Sequence, residues 1–387
     1  MQFSNVCIES LGYTLPSYML TTAELEKELA PVYQRLRLPE GRLELMTGIQ
    51  QRRFWPVEML PSDTSITSGQ RALEAAGIDP GRVGMLIHGS VCRDQLEPAT
   101  ACRVHSKLDL PNDCLVFDTS NACLGMVNGM LQAASMIELG QVEAALVVGT
   151  ENGAGLVQNT VQYLNESDEI NRKNIKYAIA SLTIGSSSGA ILLTHRSISQ
   201  TGSRLHSVVA RADTMHYELC QGDHDRNDGG GRPLMNTDSE ELMARGIDTG
   251  QRTFQKLLEE CQWQAEHVDR SICHQVGMTH RKLMLERLGL DAQRDFATVQ
   301  WLGNTGACAV PVTWAIAAQL NAIPTNSQLA LLGIGSGINC VMAGVQWQPT
   351  PVKGEDNVEA LIPDTADASR HLLGTADYDS GCLQKSS

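Results

Sequence analysis

Cys123 is the residue whose surroundings most favour a nucleophile. It follows the apolar run Cys114 to Phe117, a predicted strand, and opens an apolar stretch of helical period that ends at Gly140. The first turn of a helix carries about half a positive charge and free N–H groups, which lower the pKa of a thiol and favour the thiolate. The alternative role is packing, since free cysteines are among the most buried residues.

His274 and Asn304 are polar residues predicted at the ends of two later strands. His274 follows the run Val268 to Cys273, and Asn304 follows the run Ala297 to Trp301. Open α/β sheets place ligands at the carboxyl ends of their strands, so both side chains are candidates for a site there. The alternatives are a structural histidine and, in Gly303 to Gly306, an ordinary turn.

The stretch Gly333-Ile334-Gly335-Ser336-Gly337 is a candidate source of backbone donors. It lies between the predicted strands Leu329 to Leu332 and Asn339 to Ala343. A dinucleotide fingerprint needs a strand followed by a helix, so this context argues against that interpretation. We expect either a hairpin loop whose N–H groups point into a site as oxyanion donors or a tight β-turn.

The elements that must position these residues alternate between strand and helix, which is typical of a layered α/β protein. A first half covers residues 1–200 and a second half 201–349, with a weak internal repeat that pairs Ser120 to Gly125 with Gly303 to Cys308. Residues 350–387 are rich in polar residues, and their apolar residues no longer follow a helical or strand period, which predicts a flexible tail. The other predicted elements are strands Val83 to His88, Ala144 to Val148 and Gly189 to Leu193, and helices from the capping box at Thr237 to about Cys261, Met278 to Leu288 and Pro311 to Leu320.

Composition argues against several classes of protein. The chain has 387 residues, 42% of them hydrophobic, which is enough for a large core. Its net charge of -14 argues against a nucleic-acid surface. The sequence lacks a secretory pattern and an apolar run of membrane-spanning length, so we expect no membrane span and a cytoplasmic protein with eleven reduced cysteines. No metal is expected, because the stretch His224 to Asp228 is interpreted as a loop.

Four motifs together resemble the 3-oxoacyl-acyl carrier protein synthase III branch of the thiolase superfamily, over residues 1–349. They are Ser120-Asn121-Ala122-Cys123-Leu124-Gly125, Cys273-His274-Gln275, Gly303-Asn304-Thr305-Gly306 and Gly333 to Asn339. The resemblance implies an α/β thiolase fold, that is, a duplicated five-layered αβαβα architecture with two pseudo-twofold-related halves.

Within that branch the chain is more similar to the OleA family. The similarity lies in Ser90 to Cys102 and in Arg42 to Ile49 followed by Arg52 to Trp55. It implies an acyltransferase that joins two fatty acyl-CoA molecules by Claisen condensation to a 3-oxoacyl product, the first step of long-chain olefin biosynthesis. Acyl-CoA is then the substrate, no cofactor is needed, the enzyme is a homodimer, and later enzymes of the pathway are possible partners.

The resemblance also implies a role for each site residue. Cys123 carries the acyl group, and its backbone N–H forms the oxyanion hole with that of Ser336. His274 and Asn304 stabilise the enolate oxygen, and Glu97 is the base that removes the α-proton in the partner subunit's site. Such a base is needed because a plain acyl thioester, unlike a malonyl donor that loses CO₂, must lose a proton from carbon. The alternative for Glu97 is a stabilising negative charge before a helix.

Three other functions stay open. The first is a decarboxylative synthase III with a malonyl donor, although Met46 replaces the arginine that clamps CoA there, and Gly277 and Thr279 depart from the motif that docks the carrier protein. The second is thiolase chemistry, which needs a second reactive cysteine, whereas Cys308 and Cys340 fall outside its expected place. The third is a non-catalytic protein that binds acyl groups or partners on the same fold.

Overall fold

A mixed sheet of ten strands runs through the computed structural model, which describes residues 1–222, 234–274 and 276–373. Along the chain the described strands are β1 (Val6–Thr14), β2 (Tyr18–Thr21), β3 (Gln51–Phe54), β4 (Val83–Gly89), β5 (Leu115–Thr119), β6 (Ala144–Glu151), β7 (Ser187–His195), β8 (Ser203–Ala212), β9 (Cys220–Gly222), β10 (Met235–Thr237), β11 (Arg270–Cys273), β12 (Ser327–Gly335), β13 (Asn339–Trp347) and β14 (Val352–Lys353). The described helices are α1 (Thr22–Glu28), α2 (Ala30–Leu36), α3 (Arg42–Thr47), α4 (Pro61–Ala76), α5 (Thr100–Lys107), α6 (Gly125–Glu138), α7 (Ala154–Glu166), α8 (Ile179–Leu182), α9 (Ser239–Cys261), α10 (Met278–Leu288), α11 (Val299–Leu302), α12 (Ala309–Gln319) and α13 (Asp367–Arg370).

The sheet contains two runs of strands with the same order and the same directions. In the first run β1 pairs antiparallel with β7, β7 pairs antiparallel with β6, and β6, β4 and β5 are parallel neighbours. In the second run β8 pairs antiparallel with β13, β13 pairs antiparallel with β12, and β12 is parallel to β11. A short antiparallel contact between β1 and β8 joins the two runs. The sheet is therefore built from one topology used twice.

Helices form three layers around these two runs. α6 and α12 lie in the central core, where Met130 and Trp314 pack with residues from both runs. α4 and α5 cover the outer face of the first run, and α9 and α10 cover that of the second. Successive residues of a buried strand face different layers, as Leu331 and Leu332 of β12 do. The order α, β, α, β, α confirms the thiolase fold class that the resemblance implies.

Most predicted elements are present, but the strand predicted at Ala297 to Trp301 is wrong. The chain makes only a single bridge there, from Asp295 to Ser271, and then turns into the short helix α11. Three of the four residues of α11 are buried, and an apolar run this short has no period that separates a helix from a strand. Asn304 therefore follows a helix and not a strand.

The prediction of a flexible tail is wrong for residues 350–373, which fold against the body of the protein. β14 adds to β1 in parallel. Val358, Ile362, Ala366 and Leu372 are buried. The spacing of these four residues, at positions 358, 362, 366 and 372, is not kept along the whole segment, and prolines interrupt it, so the segment carries no strong periodic signal of its own. Residues 374–387 lie outside the described residues.

The predicted helix ending near Cys261 is present as α9, but its N-cap differs from the capping box expected at Thr237. The N-cap is Asp238, whose side chain accepts a hydrogen bond from the Glu241 N–H at 3.3 Å. The stretch His224 to Asp228 lies outside the described residues. None of the described helices is both long enough and apolar enough to cross a membrane.

Candidate active site

Cys123 stands on a sharp turn between β5 and α6. Ala122 takes a left-handed backbone conformation with a φ of 46°. The Leu124 N–H donates to the Asn121 carbonyl at 2.9 Å and closes the turn. Because α6 begins only at Gly125, Cys123 precedes the helix. The predicted position in the first helical turn is wrong by two residues.

The hairpin of β12 and β13 lies directly against this turn. Gly335 approaches Leu124 so closely that a Cβ at the glycine would lie 3.2 Å from the leucine side chain. Asn339, at the start of β13, donates to the Asn121 side chain at 3.2 Å and to the Ser336 carbonyl at 3.3 Å. Gly333 to Gly335 belong to β12, and the hairpin turn itself is Ser336 to Ile338, so the loop is shorter than predicted. Asn339 ties this turn to the turn at Cys123.

His274 follows β11 beside the same hairpin. Its backbone N–H donates to the Leu332 carbonyl of β12 at 2.9 Å. The imidazole is buried, and its Nδ1 has no hydrogen-bond partner among the residues that the structure describes. Burial, with a smaller contribution from His280, lowers the pKa of His274 to about 3. The ring is therefore neutral at neutral pH, and a neutral imidazole can donate one N–H to a developing oxyanion.

Asn304 is fixed through its backbone and through one side-chain oxygen. Its N–H donates to the Thr183 carbonyl and its carbonyl accepts from the Gly185 N–H, both at 2.9 Å. Its Oδ1 accepts the Gly306 N–H at 3.0 Å. Because the oxygen is engaged, the Nδ2 amino group is the part of this side chain left to donate to a ligand.

Glu151, the last residue of β6, is a buried carboxylate that sequence analysis missed. Its Oε1 accepts from the N–H groups of Val91 at 2.9 Å and Ala307 at 3.3 Å, and its Oε2 accepts from the Cys92 N–H at 3.2 Å. The carboxylate thus ties the loop before α5 to the loop after α11. The available signal was an acidic residue three positions after the predicted buried strand Ala144 to Val148, at the end of the sheet where ligands bind.

The charge state of Cys123 also differs from the prediction. Burial, the Glu151 carboxylate and the Cys220 thiol raise the pKa of Cys123 to about 12, and only its own backbone N–H opposes them. Desolvation and a negative neighbour therefore outweigh any effect of the nearby helix. The side chain of Cys123 is therefore a thiol at neutral pH.

Glu97 differs from the other three predicted site side chains in its exposure. It is exposed in the loop between β4 and α5, and no hydrogen bond within the described part of the chain joins it to Cys123, His274 or Asn304. It does not cap α5, because the Asp118 carboxylate accepts the N–H groups of the first two residues of that helix, at 2.8 and 2.9 Å. The direct hydrogen bonds to the start of α5 thus come from Asp118 and not from Glu97.

Other residues considered in the sequence do not join the site. Cys308 and Cys340 are fully buried, and burial raises the pKa of Cys340 to about 12, so both pack in the core. Within the described ranges, no group of three His, Cys, Asp or Glu side chains is arranged to hold a metal ion. Gln275, the residue after His274 in its motif, lies outside the described residues.

Two family models match the chain, one in each half. The thiolase N-terminal domain matches residues 46–183, which include Glu97 and Cys123. The C-terminal domain of 3-oxoacyl-[acyl-carrier-protein (ACP)] synthase III matches residues 258–347, which include His274 and Asn304. The two matches therefore contain all four predicted site side chains.

Known relatives align with most of the chain. An acyl-CoA:acyl-CoA alkyltransferase of Shewanella oneidensis is 38% identical over 351 residues, which cover 90% of this chain and 100% of the relative. A protein of the same name from Xanthomonas campestris pv. campestris is 33% identical over 347 residues, with 90% and 100% coverage.

Solved structures also match the chain at a TM-score above 0.8. A cysteine-to-serine variant of Xanthomonas campestris OleA, with bound lauric acid and lauroyl-CoA, has a TM-score of 0.83 and 32% identity, and covers 89% of this chain and 100% of that one. A 3-oxoacyl-(acyl carrier protein) synthase III of Xanthomonas oryzae pv. oryzae has a TM-score of 0.84 and 32% identity, with 90% and 100% coverage.

Proposed function

The chain belongs to the acyl-CoA:acyl-CoA alkyltransferase family, OleA, of the thiolase superfamily, and from that premise we propose that it joins two fatty acyl-CoA molecules by Claisen condensation through an acyl thioester on Cys123. It is an acyltransferase of the condensing type. The supporting observation is the position of one hairpin, which packs against the turn of Cys123 and pairs with β11, the strand that ends just before His274.

In the first step the sulfur of Cys123 attacks the thioester carbon of one acyl-CoA. A new C–S bond forms, and CoA leaves as a thiol with the proton that Cys123 gives up. Since the pKa of Cys123 is about 12, little thiolate is present before the substrate binds, and the proton passes to the CoA sulfur as that sulfur leaves. The backbone N–H groups of Cys123 and Ser336 stabilise the tetrahedral oxyanion.

In the second step Glu97 of the partner subunit removes an α-proton from the second acyl-CoA. The enolate that results carries its charge on the thioester oxygen, to which His274 and Asn304 donate hydrogen bonds. Its α-carbon attacks the acyl carbon on Cys123, a C–C bond forms and the C–S bond breaks. The 3-oxoacyl-CoA leaves and the sulfur regains a proton. Nothing is oxidised or reduced in either step, so the proposal includes no cofactor.

The homodimer of this proposal is joined through β5. β5 ends the sheet, with β4 as its single neighbour among the described strands. Leu115 on this strand is 46% exposed, and Leu96, next to Glu97, is 62% exposed. An open strand edge with apolar side chains is a surface that a second copy would cover. Such pairing would bring the Glu97 loop to the interface.

The proposal also includes the cytoplasm as the location and long-chain olefin biosynthesis as the pathway. The ten described cysteines are free thiols, which suits a reducing compartment. The product is a 3-oxoacyl thioester, so enzymes that process such a group would act next.

A decarboxylative synthase III with a malonyl donor is the second candidate, because a structure of that name matches as well as the OleA structures do. The substitution Glu97→Gln separates the two functions. Glutamine keeps the shape and reach of the side chain but cannot accept the α-proton. Acylation of Cys123 should persist, while product from acyl-CoA falls by about a hundredfold to ten-thousandfold.

The experiment measures the adduct on Cys123 by mass spectrometry and the product from separate acyl-CoA and malonyl-CoA donors. Glu286→Gln, which alters an exposed carboxylate on α10, is the matched control and should behave like the parent. Solvent deuterium should enter the α-carbon of acyl-CoA with the parent but not with Glu97→Gln. Normal condensation by the Glu97 variant, or product from malonyl donors alone, would support the decarboxylative function instead.

A further inference from the structure

Residues 350–373, here called the strap, cross the body of the protein and are held there along their length. At the start, the Leu11 N–H of β1 donates to the Pro351 carbonyl at 3.0 Å. Further on, the Glu355 carboxylate pairs with Arg71 at 2.8 Å and its carbonyl accepts from the Gln319 side chain at 2.7 Å. The strap therefore passes from β1 over the end of α12 in a defined path.

The far end of the strap contacts the segment that leads to Asn304. The Ser369 hydroxyl accepts a hydrogen bond from the Trp301 indole N–H at 3.0 Å and donates one to the Ala297 carbonyl. Both Ser369 and Trp301 have no exposed surface. The buried Ser369 hydroxyl thus joins Ala297, which lies two residues before α11, to Trp301 within α11.

A second contact reaches the same helix through Gln50. The Thr365 hydroxyl donates to the Gln50 side chain at 2.9 Å. The Gln50 backbone N–H in turn donates to the Gln300 carbonyl of α11 at 2.8 Å. The strap therefore supports α11 both directly and through the segment after α3.

The strap follows the part of the chain that the synthase III domain model matches, since that match ends at residue 347. The segment on which it packs leads to Asn304, a proposed site residue.

We infer that the strap is a positioning segment for the condensation step, in which Ser369 holds α11 so that the amide of Asn304 points at the enolate oxygen. The inference rests on the proposed role of Asn304. Two residues separate Trp301 from Asn304, and Gly303 between them has a φ of 69°, a conformation in which a small shift of α11 would turn the next residue. The backbone of Asn304 is also hydrogen-bonded to Thr183 and Gly185. The strap therefore acts on Asn304 through α11.

The test uses the full chain with Ser369→Ala and, separately, Trp301→Phe, which keeps an aromatic ring but removes the N–H donor. Each variant is assayed for the rate of Cys123 acylation and for the rate of product formation. Acylation should stay at the parent rate, because Asn304 does not act in it, while product formation falls by about tenfold to a hundredfold as the donor is misplaced. Lys353→Ala, which removes an exposed ion pair to Glu74 from the same strap, is the control and should leave both rates unchanged.

The double variant adds a readout that general loss of stability would not give. If the two residues act through one hydrogen bond, Ser369→Ala with Trp301→Phe should lose no more product formation than the worse single variant. Equal losses in acylation and product formation, no loss in either, or a loss in Lys353→Ala would overturn the inference. Failure of the proposed function would be seen separately, because the parent would then make product only from malonyl donors. The rates of the variants relative to the parent would in that case be measured with a malonyl donor.

Discussion

The two ends of the sheet differ at the same topological position. In the first run the outermost strand, β5, is complete and its outer edge is unpaired among the described strands, and it leads through a turn to Cys123 and α6. In the second run that position holds only the bridge at Asp295 and the helix α11, which lead to Asn304 and α12. The strap packs on this second end through Ser369.

The difference shows how a duplicated fold can divide one site between unlike halves. A complete edge strand offers backbone groups to a second copy of the chain, which the proposed mechanism needs in order to receive Glu97 of the partner subunit. A short helix in place of the strand offers no such edge, and its position depends on packing from its own chain. In the proposed mechanism the first end would therefore carry the nucleophile and the dimer interface, and the second end would carry Asn304 as a hydrogen-bond donor to the enolate.

The largest expected effect comes from the turn at the first end. Cys123→Ser should leave the fold intact but abolish the acyl adduct and the product, because a serine hydroxyl there is a far weaker nucleophile than sulfur. Mass spectrometry after incubation with acyl-CoA measures the adduct. Cys102→Ser, at an exposed cysteine, is the control. An undiminished adduct on the Cys123 variant would refute the assignment of the nucleophile.

Substitutions at the second end should affect condensation and spare acylation. In His274→Ala and Asn304→Ala the enolate oxygen loses one hydrogen-bond donor, which typically costs about a hundredfold to a thousandfold in rate. Adduct formation and product release, followed in the same reaction, give both rates. The result to look for is acyl enzyme that accumulates without product, and condensation at the parent rate in either variant would remove that residue from the mechanism.

The sequence predicted the site better where the signal was local. Cys123 and the hairpin at Ser336 stand in motifs bordered by apolar strand runs, so the alternation of elements located them. Glu151 was missed because a single acidic residue after a strand has no motif, and its role arises from N–H groups far away in the sequence. The pKa of Cys123 was predicted in the wrong direction because burial and that carboxylate act through space.

The second end was also where the prediction of the fold failed. The run at α11 is buried on several sides, so its apolar residues show neither strand nor helix period. The strap has few apolar residues and depends on the surface beneath it, where Ile362 and Ala366 are buried. Both errors concern segments whose structure is decided by tertiary contacts and not by their own sequence.

A charge at the open edge should weaken the proposed dimer. Leu115→Glu would place like charges close together across two copies of β5, and each 1.4 kcal/mol of repulsion weakens association about tenfold. Sedimentation should show more monomer, and product formation should fall at low protein concentration and recover at high concentration. Leu283→Glu, at a 37% exposed leucine on α10, should have neither effect. A Leu115 variant that stays dimeric would place the interface elsewhere.

The smallest expected effect concerns Glu151, which contacts the loops of both ends. Its carboxylate raises the pKa of Cys123, so Glu151→Gln should lower that pKa and increase the thiolate fraction at any pH below it. A fall of one unit gives about ten times more thiolate, but a less basic thiolate is less reactive, so alkylation by iodoacetamide should become only about threefold faster. The rate of carbamidomethylation of Cys123, measured from pH 7 to 10, tests this.

In the parent the rate should still be rising at pH 10, because the pKa is about 12. Glu143→Gln, at an exposed carboxylate before the start of β6, should leave the profile unchanged. Slower alkylation in the Glu151 variant would mean that its hydrogen bonds to the two loops matter more to Cys123 than its charge does.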